Sequence, residues 1–329
     1  LAIPIEFGAQ SFSNSEQCIA SVANFNLDRI RRHLVHGNTG VWQMNKPMTF
    51  HNFKHGLFDV TVLSDGPIVL DGEIFAPQAT DGEREEIVAR LAGADNVAEA
   101  QSNIPLIIAA NDVILVDVGA GSLFQPGEGQ LEGNLNSVGV KAGDVTKIIL
   151  SHAHPDHIWG MIREDGTLRF SNARYYITRS EWEFWMGEEA SALPEAIQPF
   201  VTGARRDLQA IADRVTFVED GDEIIPGLRV LSTPGHTAGH ISLVLDGDVP
   251  LIITVDATAS QIVSVEHPDW SFGFDMHPET ARTTRRALLE RAARDSAILL
   301  GYHWTYPGVG SVSKEGETFK FSPMTEARS

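Results

Sequence analysis

Cysteine is nearly missing from this chain: Cys18 is the one thiol in 329 residues, so an internal disulfide is excluded. Long hydrophobic runs are missing too, and without a stretch of about 18 apolar residues no membrane span is expected. Positive charge is scarce, with 25 Lys and Arg against 44 Asp and Glu and a formal net charge of -19. A polyphosphate such as nucleic acid would be repelled, so small molecules are the expected partners. The Gly-x-Ser-x-Gly elbow of serine hydrolases is absent, as are internal repeats and low-complexity tracts. The chain starts with Leu1 and shows no intact signal peptide; a soluble protein is expected, with a processed, periplasmic form left open.

What is present is histidine in a telling arrangement. Ser151-His152-Ala153-His154-Pro155-Asp156-His157 follows the apolar run Lys147 to Leu150. Side chains alternate along an extended chain, so His152 and His154 share a side and can grip one ion. Pro155 turns the backbone and aims Asp156 and His157 from another direction, toward a second ion. Imidazole and carboxylate suit zinc and its borderline neighbours without any thiolate.

Further candidate ligands stand past other apolar runs. Leu228 to Leu231 leads into Thr233-Pro234-Gly235-His236, Leu251 to Val255 into Asp256, and Ala297 to Tyr302 into His303. Strand ends of a rigid sheet are where a scaffold holds ligands most accurately. Asp256 is a carboxylate able to bridge two cations, and His240 reads as a packing or supporting residue.

With these residues the chain resembles the metallo-β-lactamase superfamily, whose pattern is H-x-H-x-D-H, then His in a Gly-His-Thr turn, then Asp, then His, over about residues 57 to 322. The resemblance implies an α/β fold, the αββα sandwich of two mixed sheets flanked by helices, with a dinuclear site at one edge. It implies His152, His154 and His236 on one metal, Asp156, His157 and His303 on the other, and Asp256 between them. Asp117, in Leu115-Val116-Asp117-Val118-Gly119, matches the early Asp-x-Gly motif and would support the ligands without binding metal. The expected cofactors are two divalent ions, zinc first, with manganese, cobalt or iron as alternatives, and the expected assembly is a homodimer.

Within the superfamily, the chain is most similar to methyl parathion hydrolase and its lactonase-like relatives. The similarity extends over Leu123-Phe124-Gln125-Pro126, Glu183-Phe184-Trp185, Phe272-Gly273-Phe274-Asp275 and Tyr306-Pro307-Gly308-Val309-Gly310. It implies an aromatic substrate pocket walled by Phe124, Trp185 and Phe200, suited to neutral hydrophobic esters, lactones or organophosphate triesters. His277 stands where that branch usually has an acidic or small polar residue, and Ala257-Thr258-Ala259-Ser260 lacks the Tyr that many acyl-homoserine lactonases carry after the bridging Asp. Water shared by two ions would be acidified into a nucleophile while the ions polarise the carbonyl or phosphoryl oxygen, with Asp156 and Asp256 as the catalytic carboxylates and Asp256 the first candidate to take the proton. The alternatives are a thioesterase of the glyoxalase II kind, a hydrolytic dehalogenase, and a non-catalytic metal-binding protein.

Along the chain, residues 1–56 read as an extension, with a helix around Ile30 to Leu34 and four histidines, His33, His36, His51 and His55, in structural roles. Residues 57–329 read as the catalytic domain. Its first strand begins near Phe58, Pro105 to Val118 forms a hairpin turning at Asn111-Asp112, and Glu83 to Leu91 is helical. Ser180 is the expected cap of a helix carrying Trp185, with Glu183 completing a capping box. Pro278 to Arg294 forms another helix, with Pro in its first turn.

Overall fold

A computed structural model describes residues 50–324. Cys18, His33, His36 and the helix expected near Ile30 lie outside the described residues.

The first sheet has the order β1-β2-β3-β4-β5-β6-β7. Its strands are β1 (His51–His55), β2 (Phe58–Asp71), β3 (Val97–Ala109), β4 (Asp112–Val116), β5 (Lys147–Ile149), β6 (Arg174–Thr178) and β7 (Val215–Val218). An antiparallel meander runs from β1 to β4, and β4 to β7 lie parallel. The second sheet, β14-β13-β12-β11-β10-β9-β8, contains β8 (Glu223–Ile225), β9 (Leu228–Ser232), β10 (Ile241–Leu245), β11 (Leu251–Ile253), β12 (Ile298–Leu300), β13 (Val309–Glu315) and β14 (Thr318–Pro323). Here only β11 and β12 pair in parallel.

Both sheets are apolar on the faces that meet. Val60, Leu106 and Ile148 from the first sheet share one buried cluster with Leu243, Ile253 and Leu300 from the second. Helices cover the outer faces, as an αββα sandwich requires. The helices used below are α1 (Asp81–Arg90), α2 (Leu131–Ser137), α3 (Pro155–Ile158), α4 (Arg179–Met186), α5 (Gln198–Ala210) and α6 (Pro278–Arg294). Outside the second sheet, α6 seals Leu288, Leu289 and Ala292 against Ile252 and Leu299.

Several boundaries differ from expectation. The first sheet begins at His51, because His51–His55 pairs with Phe58–Val62 and makes the segment an edge strand. β3 begins at Val97, eight residues before Pro105, because β2 continues past an irregularity between Ser64 and Pro67 and offers Pro67–Asp71 as a partner. The cap of α4 is Thr178 and not Ser180, since the Thr178 hydroxyl accepts the Glu181 N–H. That shift places Glu181, not Glu183, three residues after the cap, and turns its carboxyl into the core. A capping box does occur on α1, where Thr80 and Glu83 bond reciprocally. The structure places α6 at Pro278–Arg294, as read from its first-turn proline.

Candidate metal centre

Strand ends deliver the cluster. β5 stops at Ile149 and leads into His152 and His154, α3 carries Asp156 and His157, and the exits of β9, β11 and β12 bring His236, Asp256 and His303. His152 Nε2 lies 3.1 Å from His154 Nδ1, which lies 2.9 Å from His236 Nε2. Asp256 Oδ2 lies 3.3 Å from His236 Nε2, 3.7 Å from His157 Nε2 and 3.2 Å from His303 Nε2. Asp156 Oδ2 is 3.2 Å from His303 Nε2 and 3.3 Å from His157 Nε2. The seven side chains named from sequence are thus brought together, and all are buried.

The far side of each ring fixes which nitrogen faces inward. Asp117 accepts the Nδ1–H of His157 at 2.8 Å, the N–H of Ser151 at 2.7 Å and its hydroxyl at 2.6 Å. With its own proton given to Asp117, Ser151 Oγ accepts from His152 Nδ1 at 3.0 Å. Asp275 accepts from His236 Nδ1 at 3.1 Å and the Gln101 carbonyl from His303 Nδ1 at 2.8 Å. Four rings therefore keep Nε2 for the centre, the arrangement that orients metal-binding imidazoles. Asp275 is in turn held by buried Arg285 at 2.9 Å.

The backbone is strained where two of the carboxylates are aimed. Asp117 has φ +64° and Val255, directly before Asp256, has φ +46°. For a β-branched residue the left-handed region is a genuine outlier, retained when the surroundings over-determine it. His240 contributes here, as its Nε2 accepts the Asp256 N–H at 3.2 Å.

Electrostatics fit a cation. Burial, reinforced by neighbouring imidazoles, holds His152 and His154 well below the ordinary histidine range, so both stay neutral, as metal binding requires. Burial opposes charge on His157 and His303, yet Asp156 and Asp256 outweigh it, pushing His157 well up and His303 to about 10. Burial likewise opposes ionisation of Asp256, but the imidazoles of His303, His157 and His236 drive its pKa well down. A metal ion bound by such a buried carboxylate–imidazole set would displace protons from its imidazoles. His157 Nε2 and Asp256 Oδ1 are buried without a hydrogen-bond partner, the expected condition of atoms reserved for an ion. Three sets have ligand atoms within 4.8 Å of one another: His152, His154 and His236; His152, His157 and Asp256; Asp156, His157 and His303.

A cavity opens directly onto this cluster. Ile68, Leu70, Phe124, Phe200, Phe272 and Phe274 line it beside His154, Asp156, His236, Asp256 and His303, with no lysine or arginine among its described lining residues. Phe124 and Phe200 meet edge to face at 5.8 Å. Trp185 does not line the cavity. It is fully buried one layer back, edge-on to His154 at 5.7 Å, because its indole N–H donates to Glu181 at 2.7 Å. Ile68 and Leu70 were missed because they lie on β2, far from any motif; Phe272 and Phe274 stood in a segment already noted for its similarity. His277 serves through its backbone, donating to the Gly235 carbonyl at 2.8 Å beside His236.

An αββα sandwich with a buried histidine–carboxylate centre at its strand ends defines a class of metal-binding protein. Residues 97–303 match the Metallo-beta-lactamase superfamily, and the chain belongs to that family. An N-acyl homoserine lactonase of Bacillus sp is 30% identical over 171 residues, 51% of this chain and 60% of the relative's length. The match thus spans less than two thirds of that relative. Among solved structures, AidC, a dizinc quorum-quenching lactonase in complex with a product, is 28% identical with a TM-score of 0.79, covering 85% of this chain and 98% of AidC. The hydrolase AbOPH of the beta lactamase superfamily is 26% identical with a TM-score of 0.78, covering 84% and 98%.

Proposed function

We propose that the protein is a dinuclear metal-dependent hydrolase of neutral, hydrophobic lactones and esters. The observation carrying this reading is a cavity walled by Ile68, Leu70 and four phenylalanines, with no lysine or arginine among its described lining residues, that opens onto convergent imidazoles and carboxylates. An anionic substrate would meet no lysine or arginine there, whereas an acyl chain or aromatic group finds phenylalanine faces. The lactonase similarity points the same way.

In this reading His152, His154 and His236 would hold one ion and Asp156, His157 and His303 the other, with Asp256 available to both. Zinc fits the donor set, with manganese, cobalt or iron as substitutes. Bound divalent ions supply Lewis acidity toward a carbonyl oxygen and acidify coordinated water. Asp117 and Asp275 keep the imidazoles oriented, while the phenylalanines exclude bulk water and seat the apolar part of the substrate. Asp256 is the first candidate to accept the proton that the nucleophile loses. A homodimer is the assembly expected on this reading, and sedimentation measures it.

Aryl phosphotriesters form a second reading, favoured by the aromatic faces of Phe124, Phe200, Phe272 and Phe274 around the cavity. A panel of N-acyl lactones, aryl triesters and thioesters, assayed before and after chelation and after adding back zinc, manganese or cobalt, tests both. Turnover should vanish on chelation, return with metal and favour lactones. Undiminished turnover by metal-free protein would overturn the proposal, and preference for thioesters would move it to the glyoxalase II kind.

A further inference from the structure

Glu181 is a fully buried carboxylate with no cation beside it among its hydrogen-bond partners, and every partner is a donor. Oε1 accepts from the Ala153 N–H at 3.0 Å and the Trp185 indole at 2.7 Å. Oε2 accepts from the Thr237 hydroxyl at 2.7 Å and the Gly239 N–H at 2.8 Å. Ala153 lies between His152 and His154, and Thr237 follows His236. One side chain thus ties the loop after β5, on the first sheet, to the loop after β9, on the second.

We infer that Glu181 is a positioning residue that sets the spacing of His152, His154 and His236 by joining their two loops through a single buried carboxylate. The inference rests on the metal-binding reading of that trio. Without Glu181, the Ile241 N–H would still donate to the Ser151 carbonyl at 3.1 Å, but the Ala153 N–H and the Thr237 hydroxyl, next to the three histidines, would lose their shared acceptor. The donor count calls for an ionised carboxylate. An amide at this position would turn its NH2 toward one pair of donors, losing two bonds and facing donors with donors. Thr178 reinforces the joint: its hydroxyl accepts the Glu181 N–H at 3.2 Å and donates to the Gly239 carbonyl at 2.7 Å. Gly239 must be glycine for this approach, because a Cβ there would stand 2.3 Å from Glu181 N and 2.4 Å from Thr178 Oγ1. The same carboxylate holds Trp185 behind His154, so it fixes the backing of one ligand as well as the reach of all three.

The test compares the full chain with Glu181→Gln and Thr237→Val, stripped of metal and titrated with zinc against a chromophoric chelator. Cobalt(II) absorption spectra and the melting temperature of each metal-free protein are recorded alongside. Glu181→Gln should weaken zinc binding at the trio about 10- to 100-fold, the usual cost of removing an outer partner of a metal site. It should also alter the cobalt spectrum, which a stability defect alone would not do. Thr237→Val, which removes one hydroxyl at nearly constant volume, should shift affinity in the same direction by a smaller factor. Wild-type affinity and cobalt spectra in both folded variants would overturn the inference. If Glu181→Gln does not fold, Thr237→Val decides: weakened binding supports the joint, and unchanged binding overturns it. Failure of the wild type to bind zinc or cobalt would instead bring down the metal reading, and this inference with it.

Discussion

At the scale of single residues, Asp256 Oδ2 approaches His236, His157 and His303 within 3.3, 3.7 and 3.2 Å, which makes it common to both proposed ion positions. Asp256→Ala is therefore expected to lower zinc content at both and to cut turnover by about two orders of magnitude or more, as loss of metal-assisted chemistry does. His240→Ala leaves every proposed ligand in place but removes the acceptor under the Asp256 N–H and opens a hole in the core. It should cost about 2–4 kcal/mol of stability, more than a surface change, while turnover falls less than in Asp256→Ala. Zinc content, rates and melting measured on both variants check this, and equal turnover in the two would contradict the assignment. The clustered histidines and carboxylates were legible because such residues at short spacings are rare elsewhere. Glu181 and Asp275 were not recognised as supports, since a lone acidic residue becomes meaningful only when its donors arrive from other segments.

At the scale of elements, hydrophobic runs gave most strands, because a buried strand needs little beyond apolar residues and a turn. β3 and β1 escaped for a tertiary reason: their limits are set by what β2 offers as a partner. Helix α5 supplies a test of burial acting on charge. Asp207 faces inward, and burial raises its pKa to about 6 despite the neighbouring Arg206. A carboxyl whose folded pKa exceeds the unfolded one stabilises below the unfolded value, and that contribution is lost as pH rises through the folded value. Asp207→Asn cannot titrate. Between pH 4 and pH 7 the stability of the wild type relative to this variant should therefore fall, by at most about 3 kcal/mol. Denaturant unfolding of both metal-free proteins at the two pH values checks the sign, and a pH-independent difference would contradict it.

At the scale of the whole molecule, two seven-stranded sheets meet through one core and bring the ends of β5, β9, β11 and β12 around the same centre. Metal removal should be felt globally, since like charges and lone pairs are left facing one another in a dry interior. Zinc at about one hundred times its dissociation constant stabilises by about 2.7 kcal/mol per site. Chelation is thus expected to lower the melting temperature by about 5–10 °C, reversed by zinc but not by magnesium. A melting temperature indifferent to chelator would argue against metal in the folded centre. No helix among the described residues is long and apolar enough to cross a membrane.

Sequence by itself determined which histidines and carboxylates gather, their attachment to strand ends and the family, because local spacing and hydrophobic patterning survive in one dimension. Only the tertiary structure decided that Trp185 stands behind His154, that Ile68 and Leu70 complete the cavity, and that Glu181 joins two loops. Each of these depends on which segments meet across the sandwich, and that distance in space is not written in distance along the chain.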